Sequence, residues 1–235
     1  MDALLNSLAR TTPVDVSPTL LIVIVAAAAV LSIPQPIWKW FGLFTTLVHE
    51  LGHAVGAILT GRFVHGMKIR MNHSGEAVSS GRGKLGSVIS GSLGYPAPAI
   101  VGAAQLWCVT QGYTAAALFV GGIILVLTLL VIRNLFGFLV VAVSAAASAA
   151  LWVWATPEQQ SYVLLVIAIA LLVGSVRGLA TVIGVHTRRR DQLNTSDAYL
   201  LFKRTGIPSV FWLLVFAALI GASVVWAVTM VLAAY

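Results

Sequence analysis

Residues 37–59 read IWKWFGLFTTLVHELGHAVGAIL, an apolar run broken only by Lys39 and by the string His49-Glu50-Leu51-Gly52-His53. Roughly 20 apolar residues in a helix span the hydrocarbon core of a bilayer. Ionisable side chains are costly there, so three within five residues mark function rather than packing. The rest of the chain has the same character. Of 235 residues, 59% are hydrophobic and 9% charged, with a mean hydropathy of +0.97. Soluble domains carry about 25% charged residues. A soluble chain of this size could not bury so much apolar surface. Disordered, collagen-like and coiled-coil chains are excluded by the same composition.

Seven apolar runs are read as spans: Pro18–Ile33, Ile37–Leu59, Leu85–Val109, Ala115–Ile132, Leu135–Ala155, Tyr162–Val185 and Val210–Ala233. The expected fold is an all-α polytopic membrane protein of about seven transmembrane helices, a single integral-membrane domain over residues 1–235. The first run is short and follows Arg10 as a signal-peptide core would, but is read as a retained span. Only Arg133-Asn134 separates the fourth and fifth runs, which requires a tight hairpin or a kink. Pro96 and Pro98 should kink or break the third. Its Gly86, Gly91, Gly94 and Gly102 would let it pack closely on the second.

Alternating the seven spans puts 12 of the 14 Lys and Arg residues on one face, leaving Lys39 opposite and Arg177 within a span. Basic loops mark the cytoplasmic side. The N-terminus is therefore expected inside and the C-terminus outside. The net charge of +7 is read as this orientation signal, with no nucleic-acid partner. The lone Cys108 excludes an internal disulfide and any multi-cysteine metal site.

Two loops are long. After the second span, Met67, Ile69 and Met71 alternate with Lys68 and Arg70, and His73-Ser74-Gly75-Glu76 reads as a turn. This predicts a β-hairpin over Phe63–Ser79. Residues 186–208 carry an Arg run and then Asn194-Thr195-Ser196-Asp197, which reads as the start of a short helix over Ala198–Arg204.

The chemistry sits in the His-Glu string. Residues four apart share a helix face, so His49 and His53 can both offer ring nitrogens to one zinc ion. Glu50 is placed to act as general base. By helix rise, His53 lies about 12 Å inside from the cytoplasmic end of its span. A third His six residues after His53 is absent, since that residue is Leu59. A downstream Glu is offered only by Glu76 and Glu158, in a turn and an outer loop. The remaining candidates are Asp191, Asp197, His65, His73 and His186. Asp197 is the best placed, on the membrane face of the His pair at an ordered helix start.

These features together resemble the site-2 protease family of intramembrane zinc metalloproteases, in its compact bacterial branch without soluble domains. The matching residues are Val48–Ala54, the strand-like loop after them, Gly91–Pro98, Arg133–Gly137, Ser196-Asp197-Ala198, and Thr205–Pro208 onward to Trp212. The Leu-Asp-Gly string of better-known members is absent. The resemblance implies a Zn2+ cofactor, with Asp197 as third ligand beside His49 and His53, and Glu50 as catalytic base. It implies substrate positioning by an Asn near the centre, for which Asn134 is the candidate. It also implies a bacterial plasma membrane and, as substrate, a membrane protein with a transmembrane segment. The competing reading is an inactive scaffold or assembly subunit of a membrane complex. A partner subunit or homo-oligomer is compatible with either.

Overall fold

The computed structural model describes residues 8–235. Nine α-helices and one two-stranded antiparallel sheet are described. They run α1 (Pro18–Ser32), α2 (Gln35–Leu59), β1 (Phe63–Ile69), β2 (Gly75–Ser80), α3 (Lys84–Ser92), α4 (Ala97–Thr110), α5 (Thr114–Val131), α6 (Leu135–Trp154), α7 (Pro157–Thr187), α8 (Asp197–Thr205) and α9 (Ser209–Ala234). A 3₁₀ turn over Arg190–Thr195 precedes α8. Five helices are long and apolar enough to cross a membrane: α2, α5, α6, α7 and α9. The first and third expected spans are shorter as helices, at 15 residues in α1 and 14 in α4. The chain is an integral membrane protein, and among the described residues five of the seven expected spans are helices long enough to cross.

Helix ends follow local chemistry. Thr156 and Gln159 form a reciprocal cap at the start of α7, with Pro157 in the first turn. Gly206 ends α8 in the left-handed conformation, at φ 78°. The third expected span breaks at Leu93–Pro96, as its prolines require, giving α3 and α4. The main core lies between α1, α4, α7 and α9, with Ala99, Ala103, Leu165 and Ala168 essentially inaccessible. Small residues bring these backbones close. A Cβ on Gly102 would lie 2.6 Å from the Ala168 carbonyl oxygen.

Connectivity shows which helix ends meet. Arg10 Nε donates to the Gln111 carbonyl at 2.8 Å, and Thr11 N to Gly112 O at 2.9 Å. The segment before α1 therefore lies at the α4–α5 turn, beside the start of α7, where Thr114 bonds Ser161. At its other end α1 meets Arg177, which donates to the Ser32 and Ile33 carbonyls at 3.0 and 2.9 Å. So α1 and α7 run in the same direction. The chain leaves the Arg10 end of the bundle through α1 and is back at that end where α4 stops, at Gln111 and Gly112. Tyr235, at the end of α9, lies close to Asp15 at that same end. The N-terminus itself falls outside the described residues. Arg10 nevertheless does not share an end with Arg133 and Arg188–Arg190. The physical reason is Arg177. It satisfies the orphan carbonyls ending α1 and also bonds Gln35 Oε1. This turns the chain into α2 about 30 Å along α7 from Pro157, a hydrocarbon thickness away.

The β-hairpin forms where alternation predicted it. It pairs Phe63 with Ser80 and Ile69 with Gly75, with a bulge between Val64 and Gly66. It lies along α2, and its tip is clasped there. His73 Nε2 donates to the Lys39 carbonyl at 3.1 Å, and a Cβ on Gly42 would stand 2.5 Å from the His73 ring.

Candidate metal centre

Helix α2 presents His49, Glu50 and His53 one turn apart. Gly52 and Gly56 let it seat against the α3–α4 break, where a Cβ on either would collide with Leu93. That seat places the last turn of α3 against His53. Helix-end carbonyls are weakly partnered there: Ser90 O takes only a long 3.4 Å bond from Leu93 N, and it accepts a hydrogen bond from His53 Nδ1 at 2.7 Å. The tautomer follows: with the proton on Nδ1, the Nε2 lone pair is free for a metal. Ser90 Oγ donates back to the His53 carbonyl at 2.8 Å.

Asp197 arrives from the first turn of α8. Ser196 caps that helix, its hydroxyl accepting from Tyr199 N, and is held in turn by His186 Nε2 at 2.8 Å. Asp197 Oδ2 then stands 3.1 Å from His53 Nε2 and 3.3 Å from His49 Nε2, and the two nitrogens are 3.1 Å apart. Burial works against its ionisation, but the facing His53 and His49 rings outweigh this and hold the carboxyl below the ordinary range.

The donor set fits zinc. Ligand atoms around a tetrahedral ion with bonds of about 2.0–2.1 Å stand about 3.3 Å apart, and these three atoms form such a triangle. Among the described residues, Asp197 Oδ2 is buried and makes no hydrogen bond, although two ring nitrogens lie within 3.3 Å. Gly94 supplies the room, since a Cβ there would press on the Nε2 atoms of both histidines. Among the described residues this is the one group of three metal-binding side chains found together. Glu50 is 4% exposed, with Oε1 4.0 Å from His49 Nε2, and its Oε2 has no hydrogen-bond partner among the described residues. Tyr95 packs edge-on against His49, with ring centroids 4.8 Å apart, and stacks on Phe216.

The other sequence candidates lie elsewhere. His65 bonds Ser80 Oγ on the hairpin, His73 clasps the tip, and Asp191 is exposed in the 3₁₀ turn. Asn134 is at the α5–α6 corner and does not line the cleft over the cluster. Its Nδ2 donates to the Ile69 carbonyl at 2.7 Å and its Oδ1 accepts from Ile69 N at 3.2 Å. Arg133 N also donates to the Met67 carbonyl at 2.8 Å. The corner thus covers the outer edge of β1. Sequence reading did not single out Ser90 or His186 as positioning groups. One acts through a backbone carbonyl and the other through a cap, and neither leaves a sequence signal.

A cleft of about 1410 Å³ opens over the cluster, with α2 as its floor, β2 as one wall and α7–α8 as the other. Gly75 lies directly over Glu50, where a Cβ would overlap the carboxylate. Arg70 N bonds Ser74 O, so by antiparallel alternation Lys68 and Glu76 face each other as a bonded pair. Gly75 and Ala77 then turn their backbone groups outward, along a strand edge on the cleft wall.

A family model described as Peptidase M50B-like matches residues 21–227, and the chain belongs to this family of site-2 proteases. No curated protein and no solved structure matches the chain.

Proposed function

We propose that this protein is an intramembrane zinc endopeptidase that hydrolyses peptide bonds in or near transmembrane segments of membrane proteins. The observation that carries this is the convergence of His49 Nε2, His53 Nε2 and Asp197 Oδ2 at 3.1–3.3 Å beside a buried Glu50. These three residues would hold the ion. When bound, zinc supplies Lewis acidity toward a carbonyl and lowers the pKa of nearby water. Glu50 takes a proton from the attacking water and passes it to the leaving amide nitrogen. Burial shields Glu50 from competing partners, and its unpaired Oε2 is the free acceptor. The outward edge at Gly75 and Ala77 would hold an unwound substrate by strand addition. That matters because a helical segment hides its peptide bonds. Asn134 acts indirectly, by holding the hairpin that carries this edge.

The bundle end that carries the cleft also carries Arg133, Arg188, Arg189 and Arg190, which orients it to the cytoplasm. The resemblance points to a bacterial plasma membrane.

The test is zinc per chain in purified protein, with cleavage of a transmembrane reporter. One zinc is expected in the parent and in Glu50→Gln, and none in His49→Ala or Asp197→Ala. Glu50→Gln should lower cleavage by at least about 100-fold. A parent that stays metal-free after zinc reloading would favour a non-catalytic scaffold.

A further inference from the structure

The cleft is anionic only at its floor. Of the 14 Lys and Arg residues, six line it: Lys39, Arg62, Arg70, Arg177, Arg189 and Arg204. Beyond Glu50 and Asp197, the acidic lining is Glu76, already paired with Arg70 at 3.2 Å. Arg177 is committed to the end of α1. The other three guanidinium groups have only neutral partners among the described residues. Arg62 donates to the Ser79 and Gly81 carbonyls at 3.3 Å, Arg189 to the Thr181 carbonyl at 3.1 Å, and Arg204 to Ser87 Oγ at 2.7 Å. An orientation signal requires basic residues at this end of the bundle. It does not require them to surround the cleft.

Two of them share one mouth. Arg62 packs on Gly86, where a Cβ would lie 3.2 Å from its Cδ, and Arg204 bonds the next residue, Ser87. Arg62 also holds the carbonyl of Ser79, where the free edge of β2 runs out. From Gly75 over Glu50 to Ser79 is four residues of strand, about 13 Å. A peptide laid along this edge would therefore pass the metal-binding cluster and reach the two guanidinium groups about four residues later. A guanidinium bonded only to carbonyls or a hydroxyl keeps donors for a carboxylate. A concave, low-dielectric cleft strengthens its field.

We propose that the segment this cleft accepts is acidic on one side of the scissile bond, with Asp or Glu about three to five residues away held by Arg62 and Arg204. The inference rests on the protease reading for the word scissile. The charge preference itself can be read by binding alone.

The probe is a set of labelled peptides, identical except for Asp/Glu, Asn/Gln or Lys at those flanking positions. Binding to zinc-loaded Glu50→Gln protein in detergent is followed by fluorescence anisotropy. The acidic peptides should bind about tenfold tighter than their amide versions. Arg62→Gln with Arg204→Gln should cut that ratio about fivefold, and the Arg→Lys pair should keep most of it. Arg204→Glu, at an exposed position, tests the same ratio without disturbing packing. No acidic preference, or one unchanged in these variants, would overturn the proposal. So would arginine variants that weaken binding only to nanodiscs of anionic lipid. If the acidic preference holds but the parent cleaves none of the peptides, it is the protease reading that fails.

Discussion

At the scale of single residues, the cluster is tuned by groups that ligate nothing. Ser90 aims His53 through its backbone carbonyl, so Ser90→Ala should leave zinc content unchanged and cost only about 1 kcal/mol through the lost hydroxyl bond. Gly94 is the opposite case. Its missing Cβ is the space between the two Nε2 atoms. Gly94→Ala should weaken zinc binding by at least about tenfold in a chelator competition, since second-shell changes of this kind cost 10–100-fold. Equal affinity in the two proteins would show that the cradle relaxes freely.

At the scale of elements, the hairpin is held at three places: its root by Arg62, its tip by His73 and its outer edge by Asn134. A two-stranded hairpin has little stability of its own. These contacts must therefore supply its order. Asn134→Leu removes both bonds to Ile69, worth about 1–3 kcal/mol together. Hydrogen exchange of hairpin amides should rise roughly tenfold or more, while zinc content and exchange in α7 stay as in the parent. Hairpin protection that did not change would mean that packing on α2 suffices. The hairpin was legible in the alternation of Met67, Ile69 and Met71 with basic residues. What it leans on was not. Asn134 is distant from Ile69 in sequence, and nothing in its own neighbourhood points there.

At the scale of the molecule, the sense of each crossing follows from packing. With Arg10 on Gln111 and Arg177 on the end of α1, residues 11 and 111 share one end of the bundle and residue 190 the other. In a Cys108→Ser background, Thr11→Cys and Gln111→Cys should react with an impermeant maleimide from the outside, and Arg190→Cys only after permeabilisation. Labelling of Thr11→Cys together with Arg190→Cys would restore the alternating seven-span order. Hydropathy could not reveal this, because it scores length and apolarity. Helix α2 meets both criteria, but its start is fixed by Arg177 at the end of α1 and its later turns by the α3–α4 break, neither of which hydropathy reads.

Composition and spacing alone determined that this chain lives in a bilayer, that its helices are apolar runs, and that His49, Glu50 and His53 share one helix face. Each of these is a local consequence of transfer energy or helical period. The candidacy of Asp197 was also legible, from its place at a helix start. Only the tertiary structure decided that Asp197, rather than Asp191, His65, His73 or His186, stands over the histidine pair. It alone showed that α2 begins where α1 ends, and that Gly75 and Arg62 line the same cleft. Those facts depend on contacts between residues far apart in the chain, made through backbone carbonyls, glycine gaps and caps whose partners no local pattern encodes.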